Sequence, residues 1–352
     1  MDRKSRKKRY KKAGRFPQRG REYLAMTGIL LLAAGLALMT NPGPRRWFAA
    51  VLGQESSPAE ERGGSEPGSV QDGEGLTVHY LDVEKCNCVL AESSDGHFML
   101  IDAGSNGKEH TEKIIAYLEQ EGVQTLDYLV ITHPHRDHIA AIPALISRFY
   151  VDEVLMGEFD TAVVGTKTFE RVSDAMAAKD LLITRPSPGE EFRLGNASFR
   201  ILINDDSVET AMEDLNDCSM GLLLTDGFHR FLFYGDGEEK AESALLASGF
   251  DLKSDVLMAA HHGSNSSTKK ELLRAVQPEM AVISCGIDGD GEVQKPSKKV
   301  LKRLEEAGVT VYRTDENGTI VITSKKDGLF VSVFCFYGRQ RLQGSFPRSR
   351  VS

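Results

Sequence analysis

The residues His133-Pro134-His135-Arg136-Asp137-His138 place three imidazoles and a carboxylate directly after a short apolar run, Leu126–Thr132. Four such groups crowded at a strand end are costly to bury unless something coordinates them. Imidazole nitrogens and carboxylate oxygens suit zinc or a similar divalent ion. Alternate residues of an extended chain face the same way, so His133 and His135 can grip one ion. Asp137 and His138, entering the next helix, can face a second. Tyr234-Gly235-Asp236-Gly237 adds a carboxylate just past another apolar run, and Ala260-His261-His262-Gly263-Ser264 adds an imidazole pair past a third. Alone, a Gly-Asp-Gly is usually a turn and a His pair usually lies on the surface or in the core. Together these segments put candidate ligands at three predicted strand ends, where α/β proteins build their sites.

The elements that must position these residues alternate along the chain. Thr77–Val83, Phe98–Asp102, Leu126–Thr132 and Val151–Met156 read as strands, as do Phe199–Ile203, Met220–Leu224, Arg230–Tyr234, Ser254–Ala260 and Ala281–Cys285. Val309–Tyr312, Thr319–Thr323 and Leu329–Phe336 close the series, with Glu316-Asn317-Gly318 predicted as a turn between two of them. Lys108–Glu121 reads as a helix carrying Ile114, Ile115 and Leu118 on one face and stopped by Gly122. Further helices are predicted at Ile139–Ser147, Thr166–Ala178, Glu238–Ser248 and Lys269–Val276, and after a Ser297 cap. Strands outnumber helices and hairpins mix with crossovers, which predicts two sheets with helices outside. The five cysteines are odd in number and lack C-x-x-C spacing, so no disulfide framework is implied.

With these motifs in place, the chain resembles the metallo-β-lactamase-fold superfamily, whose signature is H-x-H-x-D-H. More closely, it resembles the extracytoplasmic hydrolase domain of ComEC-type competence proteins, which belong to a DNA-uptake channel family. The resemblance covers roughly Leu76 to Phe336. It is carried by Tyr80-Leu81-Asp82-Val83, Ile101-Asp102-Ala103-Gly104, the histidine loop, Asn216-Asp217-Cys218-Ser219, Tyr234-Gly235-Asp236 and His261-His262-Gly263-Ser264. Ile283-Ser284-Cys285-Gly286 and Tyr312-Arg313-Thr314-Asp315 with Gly318-Thr319-Ile320 complete it. It implies an αββα sandwich of two mixed β-sheets over residues 76–338, and two divalent ions, zinc or manganese.

In the implied site His133 and His135 hold one ion, Asp137, His138 and His261 the other, and Asp236 bridges them. His262 is the alternative to His261, as ligand or substrate contact. Asp217 stands near the place of a missing family histidine as an oxygen donor. Asp102 resembles the superfamily's carboxylate behind the metal ligands, with a simple strand-end turn as its alternative. Asp137 is the expected catalytic residue, orienting water or accepting its proton, and Ser264 and Ser267 are candidate substrate contacts. The chain departs from the family at Glu84 and Lys85, where small residues are usual, and at Lys295, where a histidine is usual.

Charge divides the 352 residues unevenly. Residues 1–22 carry eleven Lys/Arg against Asp2 and Glu22, residues 23–338 sum to −21, and residues 339–352 form a basic tail. Tyr23 to Thr40 contains no charge, and 18 helical residues reach about 27 Å, close to a hydrocarbon core of about 30 Å. The flanking charge predicts residues 1–22 in the cytoplasm, a membrane anchor at 23–40 and the body outside; secretion after signal cleavage is the alternative. Residues 41–75 read as a flexible linker.

Two functions compete. One is a membrane-tethered, metal-dependent hydrolase of phosphodiesters, with nucleic acid as the family's substrate and a small envelope phosphoester as the rival. The negative body disfavours broad affinity for DNA. The other is a metal-stabilised binding module without turnover.

Overall fold

The computed structural model describes residues 74–157, 164–204, 215–288, 290–294, 296–337 and 340–344. The basic segment 1–22, the apolar run 23–40 and nearly all of the 41–75 linker lie outside these residues. Among the described residues no helix is long and apolar enough to cross a membrane.

The first part of the chain runs β1 (Glu74–Tyr80), β2 (Cys88–Glu92), β3 (Phe98–Ala103), α1 (Lys108–Gln120), β4 (Thr125–Ile131), α2 (Arg136–Ile139), α3 (Ile142–Arg148), β5 (Tyr150–Met156), α4 (Lys167–Ala178) and β6 (Leu182–Thr184). The second part runs β7 (Glu191–Leu194), β8 (Ala197–Ile203), β9 (Gly221–Thr225), β10 (Arg230–Phe233), α5 (Glu239–Ala247), β11 (Val256–Met258), α6 (Lys270–Val276) and β12 (Met280–Ile283). Then come β13 (Gly286–Ile287), β14 (Val293–Gln294), α7 (Lys298–Glu306), β15 (Thr310–Arg313), α8 (Thr314–Asn317), β16 (Thr319–Lys325), β17 (Gly328–Tyr337) and β18 (Gln340–Gly344).

Two large mixed sheets form. One has the order β18-β17-β16-β1-β2-β3-β4-β5-β6, the other β15-β12-β11-β10-β9-β8-β7, and β13 with β14 makes a small separate ribbon. In each large sheet an antiparallel meander gives way to parallel strands, at β3–β4 in the first and β10–β11 in the second. Strand periodicity then builds the layers, because successive side chains point to opposite faces. Met99 and Ile101 of β3 face the core between the sheets with Leu222, Leu224, Phe231 and Phe233 of the second sheet. Leu100, between them, packs outward with Ile114 and Leu118 of α1 and Phe169 and Val172 of α4. On the far side Leu223 and Leu232 pack under Leu245 of α5, Leu272 and Val276 of α6 and Val300 and Leu304 of α7. The result is a four-layer αββα sandwich.

Side-chain caps mark some helix starts. Thr166 accepts from the amide of Phe169 at 3.2 Å, and Ser297 from Lys299 at 3.3 Å. Gly122 follows α1 at φ 80°, as its stop signal predicts.

The structure departs from the sequence reading in several places. Cys88–Glu92 and Glu191–Leu194 are strands that the pattern did not reveal. Ile139–Ser147 is two helices, α2 and α3, broken after Ile139 and resumed with Pro143 in the first turn. Glu316-Asn317-Gly318 is no hairpin turn: Thr314–Asn317 is a single helical turn, and β15 and β16 belong to different sheets. Part of the expected tail, Gln340–Gly344, pairs antiparallel with β17 as an edge strand.

Gly104, after β3, shows how tightly the layers fix the histidine loop. A Cβ there would lie 1.7 Å from the Asp137 carbonyl oxygen, so only glycine lets the two backbones meet. Gly104→Ala is expected to cost about 1–3 kcal/mol in stability by displacing the Asp137 segment. Denaturant unfolding of the variant beside the wild type checks this; an unchanged midpoint contradicts it.

Candidate metal centre

The histidine loop leaves the C-terminal end of β4, the Asp236 turn leaves β10, and the His261-His262 turn leaves β11. All three ends lie on one edge of the sandwich. Asp236 is brought there by Gly235, which sits at φ 53°, where a Cβ would come within 2.6 Å of Thr132 Oγ1 and 2.8 Å of Ser219 Oγ. The Ser219 hydroxyl accepts from the Asp236 amide at 3.1 Å.

His262 occupies the cluster. Its Nε2 lies 3.2 Å from Asp137 Oδ2 and 3.4 Å from Asp236 Oδ2, and its Nδ1 lies 3.0 Å from the Ser284 carbonyl oxygen. Donation from Nδ1 to that carbonyl leaves the neutral imidazole an Nε2 lone pair aimed inward. His261, favoured from the sequence because it comes first after the strand, turns the other way: its Nδ1 lies 2.7 Å from Glu238 Oε1. His261 and His262 adopt φ 51° and 53°, an uncommon conformation for residues with a Cβ. This strained pair of left-handed residues sends the two rings to different surroundings, which no spacing rule could reveal.

Asp137, His138, Asp236 and His262 each offer a donor atom within 4.8 Å of the others. His138 Nε2 is 3.1 Å from Asp236 Oδ1. Both atoms are buried, and apart from each other neither has a hydrogen-bond partner among the described residues. Such buried, unsatisfied and converging donors are what a divalent ion would satisfy. His133 Nε2 stands 4.0 Å from Asp236 Oδ2 and 3.1 Å from His135 Nδ1. Asp236 therefore faces the His133–His135 pair as well as the four-residue cluster.

Behind the cluster, Asp102 at φ 57° accepts from His138 Nδ1 at 2.7 Å, from the Thr132 amide at 2.8 Å and from Thr132 Oγ1 at 2.7 Å. The carboxylate thus fixes the His138 tautomer and clamps the start of the histidine loop, more than a strand-end turn would do. Asp102→Asn is expected to weaken metal affinity about 10–100-fold. Competition with a chelating dye measures it, and an unchanged affinity contradicts the assigned role.

The electrostatics follow from the crowding. Burial works against the ionised form of Asp137, but the His262 hydrogen bond and the His138 and His262 charges outweigh it and hold the carboxyl well below the usual range. Burial likewise opposes ionisation of Asp236, and His138 and His262 overcome it. Burial disfavours charge on His138, but Asp236 and Asp102 raise its pKa well above the ordinary value. For His133, burial and the neighbouring His138 push the pKa down.

Other expected residues have different surroundings. Asp217 is not in the cluster; its Oδ1 accepts from the amides of Glu238 and Ala241 at 2.9 and 3.1 Å and caps α5 from a distant loop. Ser267 is buried and donates to the Gly237 carbonyl at 2.9 Å, tying the His262 loop to the Asp236 turn. Ser264 Oγ lies 2.7 Å from Ser266 Oγ. Glu84, at φ 62°, accepts from the Ile287 amide at 2.8 Å, and the Lys85 amide donates to the Ile287 carbonyl at 3.0 Å. The Glu84 carboxylate and the Lys85 backbone therefore hold the β13–β14 ribbon. Lys295 lies outside the described residues.

Sequence reasoning missed Thr132 and Glu242. Buried Glu242 accepts from the Thr268 amide, the Lys269 amide at 3.0 Å and Tyr234 Oη at 3.1 Å, and so anchors the segment after His262. A lone Glu within a helix carries no signal of such a role.

The sandwich, with ligand-type side chains on one edge, defines the class. Residues 81–287 match the metallo-beta-lactamase superfamily, and the chain belongs to it. Its relatives include ComE operon protein 3 of Bacillus subtilis (strain 168), 29% identical over 207 residues, covering 59% of this chain and 26% of that protein. Competence protein ComA of Neisseria gonorrhoeae is 27% identical over 317 residues, covering 89% of this chain and 40% of that one. The chain thus resembles ComEC-type competence proteins while spanning less than half the length of these two relatives. Among solved structures, a metallo hydrolase from the archaeon Ignicoccus hospitalis KIN4/I aligns with TM-score 0.45 and 16% identity, over 70% of this chain and 98% of that one.

Proposed function

We propose that the chain is a two-metal phosphodiesterase of the ComEC-like branch, anchored by residues 23–40 with its body outside the cell membrane. The observation that carries this reading is the convergence of Asp137, His138, Asp236 and His262 with buried donor atoms left unsatisfied. Asp137, His138, Asp236 and His262 would hold one zinc or manganese ion, and His133 and His135, which Asp236 also faces through His133, would hold the other. Such ions supply Lewis-acid polarisation of a phosphoryl oxygen and lower the pKa of water at neutral pH.

The chain's own groups do the rest. Asp102 and the Ser284 carbonyl orient His138 and His262. Asp137, kept ionised, holds or accepts the proton of an attacking water at a carboxylate oxygen. The similarity to competence proteins supports a phosphodiester over an acyl substrate. The body charge of −21 favours small diesters over long DNA, since a polyanion must be met by local cations.

The test loads the full-length chain with Mn²⁺ or Zn²⁺ and compares bis(p-nitrophenyl) phosphate with single-stranded DNA, beside Asp137→Ala. Cleavage of the small diester, lost in the variant, is expected, with DNA cut more slowly. Rapid DNA degradation lost in Asp137→Ala would overturn the electrostatic part. Cleavage of neither substrate would leave the metal-stabilised binding module. The topology is tested separately by adding protease to intact cells, which is expected to trim the body away near residues 54–75.

A further inference from the structure

Directly beside the histidine loop lies a second cavity of about 480 Å³ that has no part in the metal centre. Its walls come from four helices: Lys108 and Thr111 at the start of α1, Arg136 at the start of α2, Ala144 of α3, and Thr168 and Arg171 of α4. Lys108 is partly neutralised by Glu112 at 3.4 Å, and Glu112 also lines the cavity. The Arg136 and Arg171 side chains make no hydrogen bond or ion pair among the described residues. Both are exposed.

That is unusual for this molecule. Residues 23–338 carry a net −21, and several other arginines have found a carboxylate: Arg148 with Glu119, Arg230 with Asp251, Arg313 with Asp315. Arg136 and Arg171 instead line one cavity together from separate helices. A guanidinium presents a planar fork of donors that matches phosphate, and two of them line this one cavity. Arg136 is also the residue between His135 and Asp137, so the cavity adjoins the histidine loop.

We propose that this cavity binds a second phosphate group of the substrate, the one next to the scissile phosphodiester. The proposal rests on the phosphodiesterase reading and narrows it. The substrate class becomes a short diester bearing an adjacent phosphate monoester, such as a terminally phosphorylated dinucleotide. It also reconciles a nucleotide substrate with the negative body, because the cations are supplied at one place only.

The experiment uses the full-length, Mn²⁺-loaded chain and three substrates: the dinucleotide TpT and its 5′- and 3′-phosphorylated forms, pTpT and TpTp. The wild type is expected to favour one of the phosphorylated forms over TpT by about tenfold or more in kcat/KM, chiefly through KM, the scale of a charge-assisted hydrogen bond. Arg171→Glu, on α4 and outside the candidate ligand set, is expected to bring that ratio close to one. Arg148→Glu, the same charge change outside the cavity, is expected to keep it. A ratio near one in the wild type, or a ratio that survives Arg171→Glu, overturns the proposal. If the wild type cuts none of the three nor bis(p-nitrophenyl) phosphate, the phosphodiesterase reading fails, and calorimetric titration with thymidine 3′,5′-bisphosphate decides the cavity by itself. Binding weakened about tenfold in Arg171→Glu but not in Arg148→Glu supports it; equal affinity in all three proteins overturns it.

Discussion

Replacing Asp236 by alanine is expected to strip the protein of most of its bound metal and to lower phosphodiester hydrolysis by more than about 100-fold. That exceeds the 10–100-fold typical of a residue acting behind the ligands. The reason is position. Asp236 is 2% exposed, and its two oxygens face three imidazoles: His138 at 3.1 Å, His262 at 3.4 Å and His133 at 4.0 Å. It is the carboxylate that faces His133 as well as the other groups of the cluster. Without it the His133–His135 pair keeps only neutral nitrogens, and the other half keeps Asp137 as its single compensating charge for a dication. Asp236→Asn preserves the shape and removes the charge, and is expected to fall between the alanine variant and the wild type. The metal-to-protein ratio after dialysis, read beside the hydrolysis rate, checks both variants. Full metal content in Asp236→Ala would show that the carboxylate is no ligand.

The second large effect separates two adjacent histidines. His262→Ala is expected to reduce metal content and to lower activity by more than about 100-fold, whereas His261→Ala changes activity only a few-fold. His262 is 5% exposed, with Nε2 toward Asp137 and Asp236. His261 contacts Glu238 on the rim, where its loss removes one partly exposed ion pair. The paired assay on the same substrate reads the difference. Equal losses in both variants, or the larger loss in His261→Ala, would contradict the arrangement.

The contrast between these two residues shows what the sequence could and could not convey. The histidine loop was legible because polar groups follow a buried strand directly, and Asp102 only through the family resemblance, its strand-end position alone suggesting a turn. The layers were legible because period-two strands such as Phe98–Ala103 alternate between two cores. The choice between His261 and His262 was not legible, since it depends on two left-handed backbone conformations rather than on spacing. Asp217 looked like a ligand because aspartate serves metals and helix caps equally well. Only the distance to the α5 amides distinguishes the two uses. Cys88–Glu92 escaped notice because a short run flanked by polar residues resembles a loop, and its burial is decided by neighbours on both sides, β1 and β3. Thr132 and Glu242 act through hydrogen bonds to segments distant in sequence, which no local pattern records.

The central claim is that these side chains form a metal centre. Elemental analysis of the purified full-length chain, expressed with zinc and manganese available and dialysed against metal-free buffer, tests it most directly. Two divalent ions per chain are expected, falling in Asp236→Ala and His262→Ala and unchanged in His261→Ala. A metal content near zero in the wild-type protein would contradict the account.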